Sequence, residues 1–182
     1  MLKIVQAPNN VLLSTAQPIK KIDKSIKTLI REMTVALENA KDPEGVGLAA
    51  PQVGKSLRLF IVKENPEAEV SVYINPEVEL LSPIEREKPK NKDKGIKLEG
   101  CLSLKDIWGV VSRSPKVKIT YEDTEGKQKT RSVTGFLATI LQHEFDHING
   151  ILFTTRVLEQ KENLYHSTKD EKGEVVFEEI SI

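Results

Sequence analysis

The sequence is poor in cysteine: only one, Cys101, occurs among its 182 residues. A single thiol excludes an internal disulfide, and with it the disulfide framework that small secreted proteins use in place of a large core. Cys101 is therefore a buried apolar residue, a reactive thiol or a metal ligand. Which of these roles it has bears on the function of the whole chain.

The chain also lacks an excess of charge of either sign, because 27 lysines and arginines balance 27 aspartates and glutamates. Without a global field, we expect no attraction to nucleic acid or to an anionic membrane. No segment approaches the run of about 18 apolar residues that indicates a membrane span. Residues 1–13 lack the charged start, apolar stretch and cleavage site of a signal peptide. We therefore expect a cytoplasmic protein.

The apolar residues, 38% of the chain, are sufficient for the core of one domain. Their helical spacing predicts one helix over 23–40, where Asp23 can cap the start, and another over 136–149, where Gly150 can close the end. Residues 44–54 are glycine-rich and indicate a loop or an extended chain.

Strand-like segments account for most of the remaining chain, and Asn75-Pro76 predicts a break between two of them. These segments are 57–62, 70–74, 78–81, 117–121, 129–133, and a C-terminal hairpin of 163–168 and 175–180. Polar, lysine-rich residues 82–97 predict a solvated loop. Together the elements predict an α+β fold, with antiparallel strands packed around the helix at 136–149 and an N-terminal helix.

The strongest functional signal is QHEFDH at 142–147, on the second predicted helix. His143 and His147 are four residues apart and therefore share a helix face, close enough to bind one ion. Glu144 is rotated from His143 by about 100°, which would place it beside the ion as a general base for bound water. Two helical histidines can also be ordinary surface groups, and this pattern alone leaves that alternative open.

A catalytic ion of this type needs a third protein ligand. Gly150 matches the extended motif of one branch of zinc peptidases, but Phe153 occupies the ligand position of that motif and cannot coordinate. Another branch uses a downstream glutamate, but the hairpin-like tail offers no second helix to carry one. The tail glutamates are Glu162, Glu171 and Glu174. Cys101 is the better candidate, because a thiolate binds late transition metals strongly, although a lone cysteine is often a buried apolar residue.

Three segments together resemble the signature motifs of the peptide deformylase family: GVGLAAPQ at 45–52, EGCLS at 99–103 and QHEFDH at 142–147. All three are intact, in the family's order and at roughly its spacing. The predicted layout, with a central metal-binding helix, is also similar. The resemblance implies a single catalytic domain over residues 1–182. It also implies a hydrolase that removes the N-formyl group from the initiator methionine of newly synthesised polypeptides and releases formate.

The resemblance implies that Cys101, His143 and His147 bind one divalent metal ion, with water in the fourth position. The family typically uses Fe²⁺ and tolerates Zn²⁺, Ni²⁺ or Co²⁺. A thiolate and two imidazoles are compatible with each of these ions. The identity of the metal therefore rests on the resemblance.

Further roles follow from the same resemblance. Glu144 would take a proton from the water and deliver it to the leaving amine. The side-chain amide of Gln52 and the backbone N–H of Leu102 would stabilise the oxyanion. Arg113 and Asp146 are candidates to orient the histidines from behind, and a surface salt bridge is the alternative for them.

The substrate would bind as an added strand, paired with main-chain groups of the two glycine-containing motifs. The resemblance assigns these groups to Val46, Gly47 and Gly100. The methionine side chain needs an apolar slot, and three residues share a helix face with His143. These residues are Phe136, Thr139 and Ile140, although ordinary core residues have the same spacing.

The partners implied are N-formylmethionyl nascent polypeptides and, transiently, the ribosome. Many bacterial members of the family dock on the ribosome through a basic C-terminal helix, whereas this tail predicts an acidic hairpin. Its acidic residues are Glu171, Glu174, Glu178 and Glu179. Ribosome docking therefore does not carry over directly. Trp108, the lone tryptophan, either flanks the substrate channel or anchors the strand that follows.

Two other functions stay open on the sequence. A zinc endopeptidase could use the same HExxH motif, but it would leave Cys101 and Gln52 without a role. A catalytically inactive metal-binding homologue is the second alternative. The retention of Glu144 and Gln52 argues against it.

Overall fold

The computed structural model describes residues 2–41, 44–84 and 97–180. Its α-helices are α1 (Lys24–Glu38), α2 (Gly135–Ile148) and α3 (Phe153–Glu159), and short 3-10 helices lie at Asn10–Leu13 and Ala50–Val53. The strands are β1 (Gly47–Ala49), β2 (Leu59–Val62), β3 (Ser71–Leu80), β4 (Glu99–Cys101), β5 (Leu104–Gly109), β6 (Lys116–Glu122), β7 (Gln128–Thr134), β8 (Leu164–Lys169) and β9 (Val175–Ile180). None of the described helices has the length and hydropathy needed to cross a bilayer.

The strands form two antiparallel sheets, in the orders β1-β2-β3-β6-β7 and β4-β5-β8-β9. Strand β2 is buried on both faces of the first sheet. Leu59 and Ile61 pack in a cluster with α1, whereas Phe60 and Val62 pack in a cluster with α2. A third cluster joins Cys101 of the second sheet to α3. The prediction of an α+β fold, with antiparallel strands around a central helix, is confirmed.

Helix α1 begins where the sequence predicts. The Asp23 side chain caps it by accepting hydrogen bonds from the backbone N–H groups of Ser25 at 2.9 Å and Ile26 at 3.2 Å. The helix buries one apolar stripe against the first sheet. This stripe comprises Ile26, Leu29, Ile30, Met33, Ala36 and Leu37.

The predicted break at Asn75-Pro76 is wrong, because β3 runs through both residues as one strand. The pairing of β3 with β6 shifts register between Ile74 and Glu77, so the proline lies at a bulge where no ladder donor is needed. Asn75 has a φ of 48°. Its Oδ1 atom accepts a hydrogen bond from the N–H of Ile19, and its Nδ2 atom donates one to the carbonyl of Ile19, each at 2.8 Å. These two hydrogen bonds support a backbone conformation that asparagine tolerates better than most residues.

Among the α-helices and strands, β4, β5 and α3 were not predicted. β4 has three residues and α3 has seven, lengths too short to show a clear apolar period. The hairpin of β8 and β9 agrees with the prediction for the C-terminal segment. Most of the predicted loop at 82–97 lies outside the described residues.

Helix α2 ends in a glycine-terminated cap that fixes its last turn. Gly150 adopts a φ of 73°, and its N–H donates to the carbonyl of His147 at 3.2 Å. The N–H of Ile151 donates to the carbonyl of Asp146 at 3.0 Å. This pair of bonds is a Schellman motif, which requires a left-handed residue at this position.

Replacement of Gly150 by alanine should lower the free energy of unfolding by about 2–4 kcal/mol. The added Cβ would be strained by the left-handed φ and would lie 2.8 Å from the backbone carbonyl of Leu13. Gly135 is a matched control, because its φ is 66° but a Cβ would meet nothing within 4 Å. Gly135→Ala should therefore cost only about 1 kcal/mol. Urea denaturation measures both variants, and equal losses would contradict the role of the Leu13 contact.

Candidate metal centre and active site

Three potential metal-ligand side chains converge between the second sheet and α2. Cys101 ends β4, and His143 and His147 lie one turn apart on α2. Their ligand atoms all lie within 4.8 Å of one another, and the Sγ atom of Cys101 is 3.2 Å from Nε2 of His147. Cys101 and His147 are buried, and the side chain of His143 is 12% exposed.

This donor set fits a late divalent transition metal. One thiol and two imidazoles favour ions such as Fe²⁺ or Zn²⁺ over Mg²⁺ or Ca²⁺, which prefer oxygen ligands. Three protein ligands leave one coordination position for water or substrate, as in catalytic rather than structural sites. Burial holds the pKa of His147 well below its usual value, so its imidazole is neutral and able to coordinate.

Behind His143 lies a carboxylate, 12% exposed, that the sequence analysis did not single out. The Nδ1 atom of His143 is 2.6 Å from Oε1 of Glu99, which leaves Nε2 of this histidine for the metal. Arg113 forms a two-pronged pair with Glu99, at 2.7 Å and 3.1 Å. Burial opposes ionisation of Glu99, but Arg113 and His143 outweigh it and lower the pKa of this carboxyl to about 2.

Arg113 and Asp146 belong to the same network, and Arg113 connects to His143 through Glu99. The Nη1 atom of Arg113 donates to Asp146 at 2.6 Å, and the other oxygen of Asp146 accepts from Arg156 at 2.7 Å. The side chains of Arg113 and Asp146 are each 8% exposed, so the surface salt bridge considered as an alternative is wrong. The direct partner of His143 is Glu99. The sequence feature that could have identified it is its position two residues before Cys101, which places both side chains on the same face of a strand.

Glu144 lies beside the cluster as a buried carboxyl, 3% exposed. Its Oε2 atom is one of two buried side-chain atoms in the described chain that have no hydrogen-bond partner. Burial raises the pKa of Glu144 to about 7, with a further contribution from Glu99 and opposition from His143 and Arg113. A carboxyl with a pKa near neutrality can both accept and return a proton.

Gln52 presents a side-chain N–H to the same cluster. The residue is 1% exposed and belongs to the 3-10 helix after β1. Its Oε1 atom accepts from the N–H of Ala49 at 2.8 Å, so its Nε2 atom is directed towards the Sγ atom of Cys101 at 3.5 Å and Oγ of Ser103 at 3.3 Å. Leu102 lies in the turn between β4 and β5, and its carbonyl accepts a hydrogen bond from Nε2 of Gln6 at 2.9 Å.

The residues predicted to bind the substrate backbone lie on or beside the terminal strands of the two sheets. Gly47 begins β1, and a Cβ there would come within 2.7 Å of Cδ of Glu144. Gly100 lies at the centre of β4. Val46 precedes β1, and its carbonyl accepts from the N–H of Lys63 at 2.8 Å.

The three residues predicted to form the methionine slot are not equally placed on α2. Phe136 is 59% exposed, whereas Ile140 is 3% exposed and packs in the cluster between α2 and the first sheet. Thr139 is half-buried.

Comparison with known proteins gives one consistent family. The polypeptide deformylase family model matches residues 1–163. A peptide deformylase of Desulfotalea psychrophila is 36% identical over 169 residues, covering 91% of this chain and 92% of that protein. One of Symbiobacterium thermophilum is 38% identical over 176 residues, covering 96% of this chain and 75% of that protein.

Solved structures agree in fold. The peptide deformylase of Thermus thermophilus has a TM-score of 0.75 and 33% identity, covering 88% of each chain. That of Thermotoga maritima has a TM-score of 0.72 and 34% identity, covering 86% of this chain and 97% of its own. The resemblance inferred from the three sequence motifs is therefore confirmed. The chain belongs to the peptide deformylase family of metal-dependent enzymes.

Proposed function

We propose that the enzyme removes the formyl group from the initiator methionine of N-formylmethionyl nascent polypeptides and releases formate. The observation that carries the proposal is the convergence of one thiol and two imidazoles within 4.8 Å beside a buried carboxyl, Glu144. Cys101, His143 and His147 would hold one divalent ion: Fe²⁺ by family resemblance, with Zn²⁺, Ni²⁺ or Co²⁺ as substitutes. When bound, such an ion lowers the pKa of a coordinated water and polarises the formyl carbonyl.

The proton transfers fall to Glu144. Its unpartnered Oε2 atom is available to accept the proton of the attacking water. The same oxygen then delivers that proton to the amine that leaves as the formamide bond breaks. Because the carboxyl is buried against Gly47, bulk water does not compete for the proton.

The negative charge that develops on the formyl oxygen needs fixed donors. Gln52 Nε2 supplies one, since its orientation is set by the bond from Ala49 to Oε1. The backbone N–H of Leu102 supplies the second. Glu99 keeps His143 oriented throughout, because its carboxylate holds Nδ1.

The substrate backbone would run between β1 and β4, the terminal strands of the two sheets as described. Main-chain groups at Val46, Gly47 and Gly100 would pair with it. Phe136, Thr139 and Ile140 would line the slot for the methionine side chain, with Ile140 at its buried end. The nascent chain is made in the cytoplasm, where we place the enzyme, working as one catalytic domain with at most a transient, local contact with the ribosome.

Cys101→Ala should reduce metal affinity by more than about 100-fold. Loss of a residue that only hydrogen-bonds a ligand already lowers metal affinity by about 10- to 100-fold, and loss of the ligand itself should lower it further. Formate release from formyl-Met-Ala should fall to background. Metal content and formate release are measured after anaerobic purification, and His166→Ala, an exposed histidine on β8, is the control. A variant that keeps its metal and cleaves internal peptide bonds would instead support the endopeptidase.

Glu144→Gln preserves size but removes the proton acceptor. Formate release should fall by about 10²–10⁴-fold while the metal content stays at the wild-type value. Wild-type protein that binds metal but leaves formyl-Met-Ala unchanged would identify an inactive homologue. Full activity in the variant would remove Glu144 from the mechanism.

Gln52→Leu removes the oxyanion donor without adding charge. We expect kcat to fall by about 10²–10³-fold, because the lost bond acts in the transition state, with little change in KM. Steady-state kinetics on formyl-Met-Ala separates the two constants. A rise in KM at unchanged kcat would show that Gln52 contributes only to substrate binding.

A further inference from the structure

Trp108 is packed on the backbone of β4, next to the proposed active site. It lies on β5 directly opposite Gly100, so both residues belong to the same face of the second sheet. A Cβ at Gly100 would lie 2.8 Å from Cε3 and Cζ3 of the indole. The six-membered ring of Trp108 therefore occupies the space that a side chain at Gly100 would take.

The orientation of the indole is fixed by the C-terminal hairpin. Its Nε1 atom donates to Oγ of Ser167 on β8 at 3.1 Å. The ring of Phe177 on β9 meets it edge to face, with centroids 5.7 Å apart and planes at 83°. Because the N–H points to β8, the six-membered ring points the other way, towards the outer edge of β4.

This aromatic pair is only partly covered by the protein. Trp108 is half-buried, and Phe177 is 45% exposed although it packs on another aromatic ring. The opposite face of the sheet is closed, since Cys101 and Leu164 pack there against α3. The hairpin lies beyond residue 163, where the family-model match ends.

We infer that the indole of Trp108, which Phe177 holds in place from β9, forms a subsite for the side chain of the residue that follows formyl-methionine, and that this subsite selects aromatic and large aliphatic side chains. The inference rests on the proposed function, in which the substrate is an extended strand along β4. Successive side chains of a strand point to opposite faces. With methionine on the face of Cys101, the next side chain lies on the face of Trp108. One strand spacing, about 4.8 Å, then separates it from Gly100, within reach of the indole.

The alternative is that Trp108 only anchors the hairpin. In that case its removal would lower stability but leave the choice of substrate unchanged. Selectivity between two substrates therefore separates the roles, because a loss of folded enzyme lowers both rates equally.

The test compares kcat/KM of the metal-loaded enzyme for formyl-Met-Phe-Ala and formyl-Met-Ala-Ala. We expect the wild type to favour the phenylalanine peptide by about three- to tenfold. Trp108→Ala should bring the ratio close to one, and Phe177→Ala should reduce it in part. Val176→Ala is the matched control, because Val176 lies on the same strand and faces the other side. It should keep the wild-type ratio.

Trp108 is the only tryptophan, so its fluorescence reports on the subsite without any substitution. The product peptide Met-Phe-Ala should shift the emission of the wild type to shorter wavelength more than Met-Ala-Ala does, because the phenyl ring excludes water from the indole. Equal rates for the two formyl peptides and equal shifts for the two products would overturn the subsite but leave the deformylase reaction intact. Absence of formate from both peptides would instead overturn the proposed function.

Discussion

The buried pairing of Arg113 with Glu99 and Asp146 is the interaction on which the rest of the site depends. It connects β4, which carries Cys101, to α2, which carries the two histidines. All three charged side chains are nearly excluded from water, at 8–12% exposed. Removal of one member of such a network leaves an uncompensated buried charge and typically costs about 3–5 kcal/mol. This network thus joins the strand that carries the thiol to the helix that carries the imidazoles.

Strand periodicity explains why the same short segment supplies both a proposed ligand and the group that orients another. Glu99 and Cys101 are two residues apart on β4, so both side chains lie on the same face of the strand, where Cys101 packs against α3 and both reach the histidines of α2. Glu99 then reaches Nδ1 of His143 at 2.6 Å, while Cys101 approaches His147. Arg113 keeps Glu99 ionised in this dry environment, which burial alone would oppose. One strand of three residues therefore places a side chain against each of the two histidines of α2.

Local patterns predicted the parts of the fold that depend on local interactions. The histidine pair, the Asp23 cap and the Gly150 end of α2 each follow from spacing within a few residues. The partners of Arg113 could not be derived in this way, because they lie 14 and 33 residues away in the chain. The short strands β4 and β5 escaped prediction for a related reason. β4 is placed by pairing with β5, and β5 by pairing with β8, not by any apolar period of their own.

Under the proposed function, Gly47 and Gly100 would let the two sheet edges bind peptides of different sequence. Each occupies a terminal strand, and at each the space for a side chain is filled by another residue: the Glu144 carboxylate at Gly47 and the Trp108 ring at Gly100. The edges therefore offer uninterrupted backbone, whose hydrogen bonds do not depend on the sequence of a bound peptide. Beyond the methionine slot, discrimination between peptides would then come from side chains that reach over this backbone. Beside β4 that side chain is Trp108. The backbone of β4 would then supply affinity for any peptide, and the indole on β5 would supply selectivity.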